Sequence, residues 1–167
     1  MDLEKDDFRT VIEDARTRHG ALVTLIYATD QQATALLRLC STIAVAVASG
    51  ALAGLTNSGV ISRPLGYALA AATAVLTLGA ALCLKTLQAS IISLPGRTPD
   101  FWQWAMHPDV DRRAVLIAYL DNLKDKRSIN SDLNIKAAAA LKWAKYCVAA
   151  AAPLALLTGL VAFRFGF

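Results

Sequence analysis

The side chains able to do chemistry gather in one stretch of this 167-residue chain. Arg97 precedes the aromatic run Phe101-Trp102-Gln103-Trp104, then His107-Pro108 and the paired Arg112-Arg113 follow. Indole rings stack on flat π systems and guanidinium groups grip phosphates. Trp102 or Trp104 with Arg97, Arg112 or Arg113 therefore forms a candidate ligand site, of the kind that takes a base and its phosphate. Tryptophan has a second use in such a place, as an anchor at a membrane–water interface. The residues alone leave both readings open.

No catalytic constellation competes with this site. The chain has no HExxH, GxSxG, P-loop or GxGxxG signature, and neither His19 nor His107 has triad-like company, so no enzyme is expected. Cys40, Cys83 and Cys147 lack CxxC spacing and histidine neighbours, so neither a metal nor any other cofactor is expected. Each cysteine falls at one end of an apolar segment. There it serves either as a small apolar residue or as a site for acylation or redox contact.

Those apolar segments position everything else. Leu39–Leu55 and Leu65–Leu84 contain no charge, and each is long enough to cross a hydrocarbon core of about 30 Å as a helix. The connector Thr56-Asn57-Ser58-Gly59-Val60-Ile61-Ser62-Arg63-Pro64 supplies turn and helix-start residues, so the two helices form an antiparallel hairpin. Tyr146–Phe163 makes a third crossing. Hydrophobic residues are 56% of the chain while charged ones, 18%, cluster in the first 38 positions and between Lys85 and Lys145. A bilayer imposes that segregation, because a charge at its centre costs several kcal/mol. The fold class expected is an all-α integral membrane protein with three transmembrane helices, an N-terminal amphipathic helix and a helical cytoplasmic middle segment. Its divisions are 1–38, the hairpin 39–84, the connector and helix 85–141, and the third span with its tail, 142–167.

Along the N-terminal division, Asp2, Glu4, Asp6 and Asp7 come first and Arg16 and Arg18 later, an order that suits a helix dipole. Phe8, Val11, Ile12 and Ala15, then Leu22, Leu25 and Ile26 after Gly20, keep helical spacing. In the middle division, Asp109 and Asp111 offer N-caps to a helix carrying Val115, Leu116, Tyr119, Leu120 and Leu123. The polar run Ser128-Ile129-Asn130-Ser131-Asp132 interrupts the pattern before it resumes at Leu133.

Arg38, Lys85, Lys142 and Lys145 flank the apolar segments at one face. Lys85 to Lys145 holds ten basic and six acidic residues, against Arg63 alone in the hairpin loop. The net charge of +4 thus speaks first to orientation: the positive-inside rule places the N-terminus and middle segment in the cytoplasm. No nucleic-acid partner is indicated. Gly50-Ala51-Leu52-Ala53-Gly54 is a GxxxG, which lets helix backbones approach closely. Gly50 and Gly54 mark either an oligomer contact or packing against the second span of the same chain. Pro153 follows four alanines in the third span and is either a gate hinge or a packing kink. The spans carry only Ser41, Thr42, Ser49, Thr73, Thr77 and Thr158 as polar groups, so a pore would need several copies.

The layout resembles the small transmembrane effectors of Pycsar-type bacterial antiphage systems, and more loosely SLATT-type membrane effectors. The similarity covers nearly the whole chain in short motifs. Asp30-Gln31-Gln32-Ala33 is similar to that family's Asp-x-Lys-Ala, with Gln32 where lysine is usual. Leu94-Pro95, Phe101-Trp102-Gln103-Trp104, Tyr119-Leu120, Asn134 and Lys145-Tyr146 are similar to its second half. The resemblance implies a homo-oligomeric effector in the bacterial inner membrane that answers a cyclic nucleotide by disrupting that membrane. No cyclic-nucleotide-binding β-roll is recognisable, so sensing would fall to the helical segments, an oligomer interface or a separate nucleotide sensor. A structural or regulatory membrane adaptor and a small homo-oligomeric channel are the competing classes.

Overall fold

In the computed structural model, residues 5–56, 61–88, 92–94 and 96–166 are described, with side chains from Arg9 onward. Asn57, Ser58, Gly59 and Val60 of the hairpin connector lie outside these residues, as do Asp2, Glu4, Ser90, Ile91 and Pro95 and the side chains of Asp6, Asp7 and Phe8. All elements among the described residues are helices: α1 (Lys5–Leu55), α2 (Arg63–Leu87), α3 (Pro99–Ala105) and α4 (Arg112–Phe165). Three of them, α1, α2 and α4, are long and apolar enough to cross a membrane.

Two helices are longer than any bilayer requires. α1 has 51 residues and α4 has 54, roughly 75–80 Å each at about 1.5 Å per residue. Gly20 does not break α1, and α4 runs without a break through Ser128–Asp132, where the sequence suggested an interruption. Asn130 explains the difference. A mid-helix Asn weakens a helix when its amide competes for nearby backbone groups, but this amide is engaged with the backbone of Ser93. Helix starts follow the proline rule: Pro64 and Pro99 each stand in the first turn, of α2 and α3. Pro153 lies inside α4 with its ring exposed.

A seven-residue repeat decides which faces are buried. Along α1 the buried positions include His19, Ile26, Ala33, Cys40 and Gly54; along α4 they include Leu123, Asn130, Ala144 and Ala151, with Tyr119 and Ala140 on the alternate step. α2 buries Ala72, Leu76, Gly79, Cys83 and Thr86, again in steps of three and four. A sustained repeat of this period keeps one seam of a helix against its neighbours at shallow crossing angles.

The chain divides into two compact units, to both of which α1 and α4 contribute. The first comprises Met1–Ala28 and Ser90–Ile135, the second Thr29–Ala89 and Lys136–Phe167. In the second unit the seam residues are small and the backbones close. A Cβ placed on Gly54 would lie 2.6 Å from the Cα of Gly66, and one on Gly50 would lie 2.9 Å from Leu69 Cδ1. The GxxxG of α1 is therefore seated on α2 of the same chain. Gly159 of α4 meets Ala68 of α2 in the same way, at 3.2 Å, and a Cβ on Gly79 would sit 3.3 Å from Cys147 Cβ and 3.6 Å from Cys40 Sγ. The cysteines of α1 and α4 thus line one tight layer with Gly79, and their small size suffices as the reason for them.

Gly54→Val, with backbone rather than a flexible side chain in its way, is expected to lower stability by about 2 kcal/mol or more. Gly20→Ala, at a helical position with nothing within 4 Å, is expected to be neutral or to stabilise by about 0.5 kcal/mol. Thermal unfolding of the two variants in detergent micelles checks the contrast.

Candidate functional site

The first unit is built around a short stretch of backbone with no helix of its own. Ser93 donates its N–H to Asn130 Oδ1 at 2.9 Å, and its carbonyl accepts from Asn130 Nδ2 at 2.9 Å. The primary amide of Asn130 thus pairs with the Ser93 peptide as a second peptide would. His19 of α1 donates from Nε2 to the same carbonyl at 2.9 Å. Asn130 is fully buried and His19 is 1% exposed, so these bonds are shielded from water. Downstream, Lys126 Nζ donates to the carbonyls of Leu94 and Gly96, at 2.9 and 2.8 Å. Gly96 has a φ of 119°, which an L side chain rarely adopts, and this turn aims Arg97 and α3 back at α4.

The aromatic cluster stands on that turn. Phe101 lies at its centre, with ring centroids 5.2 Å from Trp102, 5.4 Å from Trp104 and 6.4 Å from Tyr119. Tyr119 is buried in α4 and also meets Trp102 at 6.1 Å. Its hydroxyl accepts from Arg16 Nε at 2.7 Å, and the Arg16 guanidinium stands 5.2 Å from its ring centroid. Trp102 and Trp104 each remain 43% exposed, which leaves part of each indole face open.

The arginines named with these tryptophans divide into two groups. Arg97 is turned inward: Nη2 donates to the carbonyl of Ala118, the guanidinium stands 4.3 Å from the Phe101 centroid, and Nε is buried without a hydrogen-bond partner among the described residues. It acts as a strut between the turn and α4. Arg112 and Arg113 are exposed at the start of α4, about two turns before Tyr119. Trp102, Trp104 and Tyr119 come together, then, while Arg112 and Arg113 stay at the surface of the same unit. Arg16 joins the cluster from a position that sequence spacing could not connect with Tyr119.

In the second unit, Thr86 Oγ1 lies 3.1 Å from the Leu82 carbonyl of its own helix and 3.4 Å from the Ala137 carbonyl of α4. Ser49, Thr73, Thr77 and Thr158 each donate to the carbonyl four residues earlier in their own helix, at 2.8–3.0 Å. Their hydroxyls are spent locally, and the seam between helices is filled by alanine, glycine and cysteine. Among the described residues no group of His, Cys, Asp or Glu side chains has the arrangement of a metal site. A groove opens in this unit, between Thr29 and Gln32 of α1 and Ala138, Leu141, Lys142, Lys145 and Tyr146 of α4.

Comparison of the chain with family models, with curated proteins and with solved structures gave no match of any kind.

Asn130→Ala removes both bonds to Ser93 and strands its N–H, so it is expected to cost about 2–3 kcal/mol. Tyr119→Phe, which deletes only the acceptor of the exposed Arg16, is expected to cost less than about 1 kcal/mol. Amide hydrogen exchange at Ser93, fast in the first variant and protected in the second, checks the ranking.

Proposed function

We propose that the chain is a homo-oligomeric membrane effector. It sits in the bacterial inner membrane as three spans, with its N-terminus and the 85–141 segment in the cytoplasm, and disrupts that membrane when a nucleotide second messenger engages the helical unit. The role is antiphage defence, in line with the resemblance carried by Asp30–Ala33, Phe101–Trp104 and Lys145-Tyr146.

One observation carries this reading. In the most apolar windows of α1, α2 and α4, only 11%, 28% and 11% of residues are buried within the chain. Burial of apolar surface is worth about 25 cal/mol per Å², so so much uncovered surface requires lipid or further copies to cover it. Leu52, Leu78, Leu156, Leu160 and Phe163, all more than half exposed, typify that surface. The spent hydroxyls and small-residue seam provide no water path through one copy. A leak therefore belongs to several copies, or to a disturbance of the lipid around them.

The trigger is proposed at the aromatic cluster. A base stacks on the open indole of Trp102 or Trp104, and its phosphate meets Arg112 or Arg113, while Arg97 holds the turn in place. Ligand or a sensor protein bound there favours one packing of α1 and α4 over another, and only such a difference in affinity can shift the membrane helices.

Liposomes loaded with dye and containing the purified protein test the proposal against a panel of cyclic mononucleotides and oligonucleotides. Leakage with one nucleotide is expected, and Trp102→Ala/Trp104→Ala should raise the concentration needed by about tenfold or more, since each stacked base is worth about 1–3 kcal/mol. Leakage without ligand contradicts gating and favours a plain channel. An absence of leakage with every nucleotide contradicts direct sensing.

A further inference from the structure

We propose that the groove between α1 and α4 in the second unit is a binding site for the headgroup of an anionic phospholipid, with Lys142 and Lys145 on its phosphate. The inference rests on the membrane reading above and adds a ligand to it. The groove has a volume of 280 Å³ and is lined chiefly by Thr29 and Gln32 on one side and Leu141, Lys142, Lys145 and Tyr146 on the other.

Its charge selects an anion. Lys145 Nζ reaches across to donate to Gln32 Oε1 at 3.1 Å, and Lys142 Nζ stands 5.8 Å from the Tyr146 ring centroid. Neither lysine has an ion-pair partner among the described residues. Arg38 and Lys85 add to the positive charge of the same unit, whose sole carboxylate side chain is Asp30. An ammonium group bonded to a neutral amide, and another resting over a phenol, both gain by meeting a phosphate. Gln32 adds its amide at the same mouth.

Its shape selects a lipid over a soluble phosphate compound. The stripe of α1 that begins at Thr29 and Gln32 continues at helical spacing through Leu36, Leu39 and Ile43, with Leu39 and Ile43 48% and 39% exposed. Polar contacts at one end and an apolar rail beyond them match an amphiphile whose chains run up into the bilayer. Trp143 and Tyr146, an edge-to-face pair with centroids 5.7 Å apart, are exposed at the same turn of α4, where interfacial aromatic residues belong. Basic pockets between helices at the cytoplasmic boundary are the usual places for acidic headgroups.

Native mass spectrometry of the full chain in detergent, with phosphatidylglycerol, phosphatidylcholine or no added lipid, tests the site. The expected result is retention of phosphatidylglycerol over phosphatidylcholine. Lys142→Gln and Lys145→Gln should each weaken retention about fivefold and together roughly 25-fold, as expected for about 1 kcal/mol per cation at an anionic surface. Lys136→Gln, outside the groove, should leave it unchanged. The charge-keeping pair Lys142→Arg/Lys145→Arg should retain the lipid, which separates lost charge from lost folding. Inorganic phosphate and adenosine monophosphate at millimolar concentration should not displace the lipid; displacement by either overturns the lipid source in favour of a soluble phosphate. Equal retention of both lipids, or unchanged retention in the double glutamine variant, overturns the site while a detergent-requiring protein leaves the membrane reading intact. A protein that stays monodisperse without detergent overturns both.

Discussion

A peptide group with no helix to satisfy it is the constraint on which the first unit depends. Ser93 lies on a connector that passes between two long helices, where each buried N–H and carbonyl must find a partner. Asn130 supplies both bonds and His19 supplies one more. Because these two residues come from α4 and α1, the connector fixes the spacing of the two helices as well as its own path. Lys126 then ties down Leu94 and Gly96, and the positive φ of Gly96 turns the chain so that Phe101 reaches Tyr119. The exposed indoles of Trp102 and Trp104 follow from that sequence of contacts.

The second unit obeys a different rule. In lipid, where the proposed function puts these helices, there is no hydrophobic gain in bringing them together, so association rests on close backbone approach and van der Waals contact. Gly54 against Gly66, Gly159 against Ala68 and Gly79 in the layer with Cys40 and Cys147 are such approaches. Thr73 and Thr77 are satisfied within α2, while Thr86, also bonded within α2, reaches the Ala137 carbonyl of α4 at 3.4 Å. This leaves a bundle held chiefly by shape, with Gln32 and Lys145 joined across α1 and α4 at its rim. On the proposed reading, one unit receives a signal and the other meets the lipid, with α1 and α4 common to both.

Much of this was legible in the sequence, and the reasons are physical. Three uncharged segments of bilayer length identify themselves, because a bilayer excludes charge regardless of tertiary detail. Pro64 and Pro99 marked helix starts because proline's missing N–H is harmless there. The continuity of α4 was hidden because Ser128–Asp132 reads as a break until the partner of Asn130, 37 positions away, is known. The inward turn of Arg97 was not legible, because a guanidinium grips a phosphate or a backbone carbonyl equally well and its partner, the Ala118 carbonyl, is 21 positions away. Gly50 and Gly54 gave the right chemistry, close approach, but spacing alone does not say which helix approaches. The groove was missed outright: Gln32 and Lys145 are 113 positions apart, and no periodicity links them. The lysine–tyrosine pair at the head of the third segment was the available signal.

The most direct test of the account is the sidedness of two positions in a background with Cys40, Cys83 and Cys147 replaced by alanine. Arg113→Cys marks the helical unit and Ser62→Cys the hairpin connector, both exposed. A membrane-impermeant maleimide applied to intact spheroplasts should label the Ser62 variant and not the Arg113 variant, with the pattern reversed in inverted vesicles. Labelling of both positions from the same side would contradict the three-span arrangement, and with it the assignment of the helical unit to the cytoplasm.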